Sequence, residues 1–158
     1  MMIPSDDGFS APDAAANDSS FVPPRSAYDK TSGLAYFPRM LDKIRLHADG
    51  RLPVDYHSNL GTGADAWCCQ FLRIRYEELK SRTLAGGSDE EILQWSQEQG
   101  RPLEEVDLMV WNAFITKLGW RDFAIRVLKR YKASSGLEHR DDLETMADYF
   151  DVDEGRKP

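Results

Sequence analysis

The chain has 158 residues, 41% of them hydrophobic and 30% charged, with a net charge of −7. That length suits one domain with a core of its own, one that needs neither a disulfide nor a metal to fold. The acidic balance argues against DNA as a partner, and the lack of any apolar run of about 18 residues argues against a membrane span.

Residues 1–20 contain Asp6, Asp7, Asp13 and Asp18 with no Lys or Arg, and Ile3 and Phe9 are the only large aliphatic or aromatic residues after the initial methionines. Such a stretch buries too little to offset its ordering entropy, so a disordered acidic tail is expected, followed by a single helical domain over 21–158. The start also lacks the basic and apolar parts of a secretory signal, which points to the cytoplasm. Pro23-Pro24 reads as an extended lead-in.

The first helix is expected over 37–49. Phe37, Met40, Leu41, Ile44 and Ala48 form one stripe, Arg39, Asp42 and Lys43 lie opposite, and Leu46 sits among the polar residues, as though another segment covers that face. The loop 51–63 carries Pro53, Gly61 and Gly63 and is dense in Asp55, Tyr56, His57 and Asn59. A helical stretch over 64–84 follows, with a break expected near Arg73-Ile74-Arg75. Ser88 and Glu91 form a capping box for a short helix over 89–99. The 103–118 helix is apolar almost all round (Val106, Leu108, Met109, Val110, Trp111, Phe114, Ile115) and is expected at the centre. The 122–133 helix should turn Phe123, Ala124, Val127, Leu128 and Tyr131 inward, leaving Arg121, Arg126, Lys129, Arg130 and Lys132 outside. A last helix over 141–150 completes an all-α bundle of five to seven helices.

Cys68 and Cys69 are adjacent, so they cannot staple distant parts of the chain, and they read as packed thiols. No HExxH, GxSxG, GxGxxG or paired CxxC pattern occurs, so neither a metal nor a cofactor is expected. The acidic end, Asp151, Asp153 and Glu154, lacks the glycine and spacing of a calcium loop. It reads as exposed, or as paired with Arg156 or the basic helix.

Tyr36-Phe37-Pro38-Arg39-Met40-Leu41-Asp42-Lys43-Ile44-Arg45-Leu46-His47, Asp55-Tyr56-His57, Asn59-Leu60-Gly61, Trp111-Asn112-Ala113-Phe114, Gly119-Trp120-Arg121-Asp122 and Asp151-Val152-Asp153-Glu154-Gly155-Arg156 carry a resemblance. Over 25–156 the chain resembles a bacterial family known as a domain of unknown function. The resemblance implies a helical cytosolic domain and no particular activity. Arg73-Ile74-Arg75 departs from the small or acidic turn expected there.

Chemistry is expected where the first helix's polar face meets the loop after it. Arg39, Lys43, Asp55, Tyr56 and Asn59 are the candidate ligand-binding residues, with Arg39 and Lys43 suited to clamp an anion. A catalytic set is unknown from sequence, its best candidates being His57 as acid–base and Asp42 as the carboxylate fixing its tautomer. The plainer reading is internal, with Asp42 paired to Arg39 and His57 pinning the loop. Three roles therefore stand open. The first is a noncatalytic binding or regulatory module, and the second a small enzyme acting on an anionic small molecule. The third is an RNA or protein adaptor that uses the basic face around Arg126 and Lys129.

Overall fold

A tight turn opens the fold. Ser32 and Gly33 both have positive φ, 45° and 86°, the geometry that folds a two-residue hairpin along the natural twist of its strands. They join β1 (Lys30–Thr31) to β2 (Leu34–Ala35) in antiparallel register, Thr31 opposite Leu34. Strands of two residues leave no alternation to read, so this hairpin is silent in the sequence. The computed structural model describes residues 21–158, and the acidic tail expected over 1–20 lies outside them.

Seven α-helices follow among the described residues: α1 (Phe37–Ala48), α2 (Ala64–Leu72), α3 (Tyr76–Leu84), α4 (Asp89–Gln99), α5 (Glu105–Lys117), α6 (Ile125–Ser134) and α7 (Met146–Asp153). The fold is mostly helical, as expected. A 3-10 segment, Val54–Asn59, lies in the loop between α1 and α2. Within the described residues no helix is long and apolar enough to cross a membrane.

Helix α1 holds the centre. Phe37, Met40, Leu41 and Ile44 are buried on its apolar stripe, and Arg39, Lys43 and Leu46 are buried on the face that reads as polar. It packs on α3 and β1, while α5 packs on β2 and α7. The break near residue 73 is real: Arg73 adopts the left-handed conformation (φ 58°, ψ 41°) and ends α2, and the Ile74 N–H donates back to the Cys69 carbonyl. The Ser88–Glu91 capping box forms in both directions. Cys68 and Cys69 are free and buried.

The expected centre of the bundle, 103–118, is displaced to the flank. Val106, Met109 and Val110 of α5 are 60–66% exposed, whereas Trp111 and Ile115 are buried. A hydrophobic count cannot tell an inner face from an apolar outer one, and α1 already fills the middle. What fixes α5 is its inner edge. Trp111 Nε1 donates to the Ala35 carbonyl at 2.9 Å, and Asn112 accepts from Ala35 N at 2.9 Å and donates to the Gly33 carbonyl at 2.8 Å. Phe123, expected inward, is 44% exposed just before α6 begins.

The core falls into two clusters. One gathers α1, α2, α3, α4 and the inner edge of α5 around Phe37, Met40, Leu72 and Trp111. The other joins α6 and α7 through Leu118, Leu128, Tyr131, Met146 and Tyr149.

Two substitutions test the joints. A side chain in the left-handed region costs about 1–2 kcal/mol, while glycine loosens the unfolded chain by about 0.4–1 kcal/mol. Arg73→Gly is therefore expected to raise unfolding free energy by up to about 1.5 kcal/mol in urea titration. At Gly100 the reverse holds, because a Cβ would land on the Leu72 carbonyl oxygen, which already accepts from Arg101 N. Gly100→Ala should cost about 3 kcal/mol in the same assay, the upper range for overpacking.

Candidate functional site

The side chains that meet at the seam between the two clusters are set in place by the backbone at the start of α1. Tyr36, its N-cap, takes a left-handed conformation (φ 73°, ψ −27°) that a bulky residue rarely adopts. In this position its hydroxyl donates to Asp65 Oδ1 at 2.6 Å. Lys43, two turns along the same helix, bridges to Asp65 at 2.7 Å and donates to the Tyr36 hydroxyl at 3.1 Å. Asp65 is fully buried and also accepts from the Gly61 N–H at 3.0 Å. Every oxygen of this carboxylate is thus engaged, as a buried charge requires.

A second buried pair lies one turn away. Arg39 donates from Nη1 and Nη2 to the two oxygens of Glu154, at 3.0 and 2.5 Å, and from Nη1 to the Arg25 carbonyl at 3.0 Å. The side chains are 3% and 1% exposed, so this is a two-pronged ion pair out of water. Arg156 adds a second cation to Glu154 at 2.7 Å and donates to the Pro24 carbonyl. The acidic end is therefore not an open surface: Asp151 is buried, accepting from Ser26 Oγ at 2.7 Å, and Glu154 is turned inward. Its pairing with Arg156 follows the sequence reading.

Between these pairs lies a cavity of about 60 Å3, room for about four to six water molecules. Its polar wall comprises Tyr36, Arg39, Lys43, Asp55, Tyr56, Asn59, Thr62 and Asp153. Its apolar floor, which includes Ile115, Leu118, Met146, Ala147 and Phe150, draws on both clusters. The Arg39 guanidinium stacks on the Phe150 ring, 4.7 Å from its centre. Asn59 hydrogen-bonds the hydroxyl of Tyr131, another lining residue, whose pKa burial pushes up to about 12.

The electrostatics are uneven. Burial draws the Lys43 ammonium below its usual range, against the opposing pull of Asp65. Burial likewise holds the Tyr36 and Tyr56 hydroxyls above theirs, so both remain proton donors at neutral pH. Asp153, at the rim, is held above the usual carboxylate range by desolvation and by the charge of Glu154. Among the described residues neither Asp55 nor Asp153 takes part in a salt bridge, while Arg39 and Lys43 both do.

Arg39, Lys43, Asp55, Tyr56 and Asn59, all singled out in the sequence, come together on this wall. Asp42 and His57 lie outside it. Asp42 accepts from Arg25 Nε and Nη2 at 2.9 Å rather than from Arg39, in a half-buried cluster that includes Arg45 and Asp89. His57 has Nε2 against the Leu52 carbonyl at 2.8 Å and its ring edge-on to His47 at 4.7 Å. It thus pins the loop, as the plainer reading has it. The sequence reading missed Tyr36, Asp65, Tyr131 and Phe150. Asp65 left a signal, as a lone carboxylate in the apolar run Ala64-Asp65-Ala66-Trp67-Cys68-Cys69. Tyr131 and Phe150 look like ordinary core residues. Among the described residues no group of His, Cys, Asp and Glu could hold a metal ion.

The model of the domain of unknown function DUF5069 matches residues 22–156. No curated protein and no solved structure matches the chain.

Glu154→Gln would leave Arg39 buried without a counter-charge and should cost about 3–5 kcal/mol in chemical denaturation. Replacing both partners, Arg39→Met with Glu154→Leu, should restore most of that stability. A double variant as weak as the single one would show that the pair does more than neutralise itself.

Proposed function

The chain belongs to the DUF5069 family, and from the geometry of its seam we propose that it is a noncatalytic module that binds a small molecule in the cavity beneath α1. One observation carries the reading: a concave site with an apolar floor and convergent polar groups forms where side chains of the two hydrophobic clusters meet. That is the usual construction of a ligand site. The noncatalytic part is supported by the surroundings of the acid–base candidates. His57 faces a backbone carbonyl and Asp42 faces Arg25, both outside the cavity lining. Two free, buried thiols suit a reducing compartment, and the proposed place of action is the cytoplasm.

The test is a thermal-shift screen of the full chain against small polar molecules, run beside Ala64→Leu, which adds bulk to the cavity wall. A ligand at about 100 times its Kd adds about 2.7 kcal/mol, a rise of about 5–10 °C for a chain of this size. The expected outcome is a hit that Ala64→Leu removes while the unliganded melting temperature stays close to that of the parent. Silence throughout the screen, or a hit indifferent to Ala64→Leu, would overturn the proposal.

A further inference from the structure

We infer that the cavity takes a small organic ammonium ion, a primary or methylated amine with a short apolar part, rather than an anion. This rests on the binding reading above and names the chemistry of its ligand. Arg39 and Lys43 invite the opposite expectation, because an arginine and a lysine one turn apart would ordinarily clamp a carboxylate or phosphate. Here both are already neutralised. Glu154 occupies the two prongs of the Arg39 guanidinium, and Asp65 lies 2.7 Å from the Lys43 amine. An incoming anion would have to displace a buried carboxylate from each, leaving Asp65 without its cation and Glu154 with Arg156 alone.

The carboxylates that line the cavity are in the other position. Asp55 comes from the 3-10 segment and Asp153 from the end of α7. Both lie on the wall, and neither has an ion pair among the described residues. The wall and its immediate partners hold four carboxylates, Asp55, Asp65, Asp153 and Glu154, against three cations, Arg39, Lys43 and Arg156. The open charge is therefore negative, and it sits on the two carboxylates without a counter-charge, Asp153 accepting from the hydroxyls of Ser135 and Tyr149.

Aromatic rings supply the rest. Tyr36, Tyr56, Tyr131 and Phe150 line the same space, and ring faces attract ammonium groups, most strongly where water is excluded. The protein already uses this attraction internally, with Arg39 on Phe150 at 4.7 Å and Lys43 5.6 Å from the centre of the Tyr36 ring. The floor of Ile115, Leu118 and Met146 accommodates methyl or methylene groups. A bare metal ion fits poorly, since no cluster of three suitable ligands exists among the described residues.

Asp153 also gives the site a pH dependence. The charged and titratable groups around it are Glu154, Arg39, Tyr56, Tyr131 and Tyr149. Its raised pKa means that it takes up a proton earlier than an ordinary aspartate as pH falls. Attraction for a cation should weaken over that range.

The experiment is a titration of the full chain, followed by amide chemical shifts and thermal shift. The probes are trimethylammonium, its uncharged counterpart tert-butanol, acetate and inorganic phosphate. Trimethylammonium should bind at least tenfold more tightly than tert-butanol, perturb residues of the cavity wall, and weaken as pH falls. Asp153→Asn and Asp55→Asn, rim changes that leave both buried pairs intact, should each weaken it three- to tenfold without altering the fold. If acetate or phosphate binds instead and Ala64→Leu removes that binding, the ammonium assignment fails while the binding-module reading stands. Equal affinity for tert-butanol also overturns the assignment. If no probe binds, the assignment falls, and the wider screen alone then decides the binding reading.

Discussion

The architecture depends on one constraint: helix α1 is buried with its charges. A helix enclosed on nearly every side would normally be apolar all round, yet this one carries Arg39 and Lys43 into the interior. Each must meet a carboxylate there, because an isolated buried charge is far more costly than an unburied one. Asp65 comes from α2, and Glu154 lies just past the end of α7. The positions of α2 and α7 against α1 are therefore set by charge as well as by shape. Arg156 and Ser26 extend the same network to the chain that leads into the hairpin.

The cavity follows from that arrangement. Helices α5 and α6 both pack on α7, yet the apolar floor facing α1 is left open. The guanidinium of Arg39, the amine of Lys43 and the hydroxyl of Tyr36 stand along the seam, each directed by a partner. Polar groups tied to fixed partners cannot collapse into the floor, so a space remains beside the contacts by which Trp67 and Phe114 join the two clusters. Buried ion pairs of this kind add little stability compared with apolar packing of the same volume. Their effect is to fix positions.

Much of this was legible in the sequence, for identifiable reasons. The stripe of α1, the Ser88–Glu91 box and the break near Arg73 are local patterns, and local patterns are what a sequence displays. Five wall residues could be named because Arg39 and Lys43 lie one turn apart and the 55–59 run is polar and close by. The hairpin was too short to show a period. The placement of α5 failed because Val106, Met109 and Val110 are apolar yet face outward. The identity of the counter-charge of Arg39 was hidden by distance, since Glu154 lies 115 positions away. A buried pair between remote segments is a fact of topology, visible only once α7 has been placed.

The separation of Arg39 from Glu154, 115 positions along the chain, has a consequence during synthesis. When α1 leaves the ribosome its guanidinium has no carboxylate to meet, and it must stay hydrated until α7 emerges. The centre of the fold cannot dry out piecemeal from the amino end. The α1 region is thus expected to remain open to solvent and to holding chaperones for most of translation, and to consolidate in one late step. Contacts spanning most of a chain delay folding in this way, because the long loop must close before they repay its entropy.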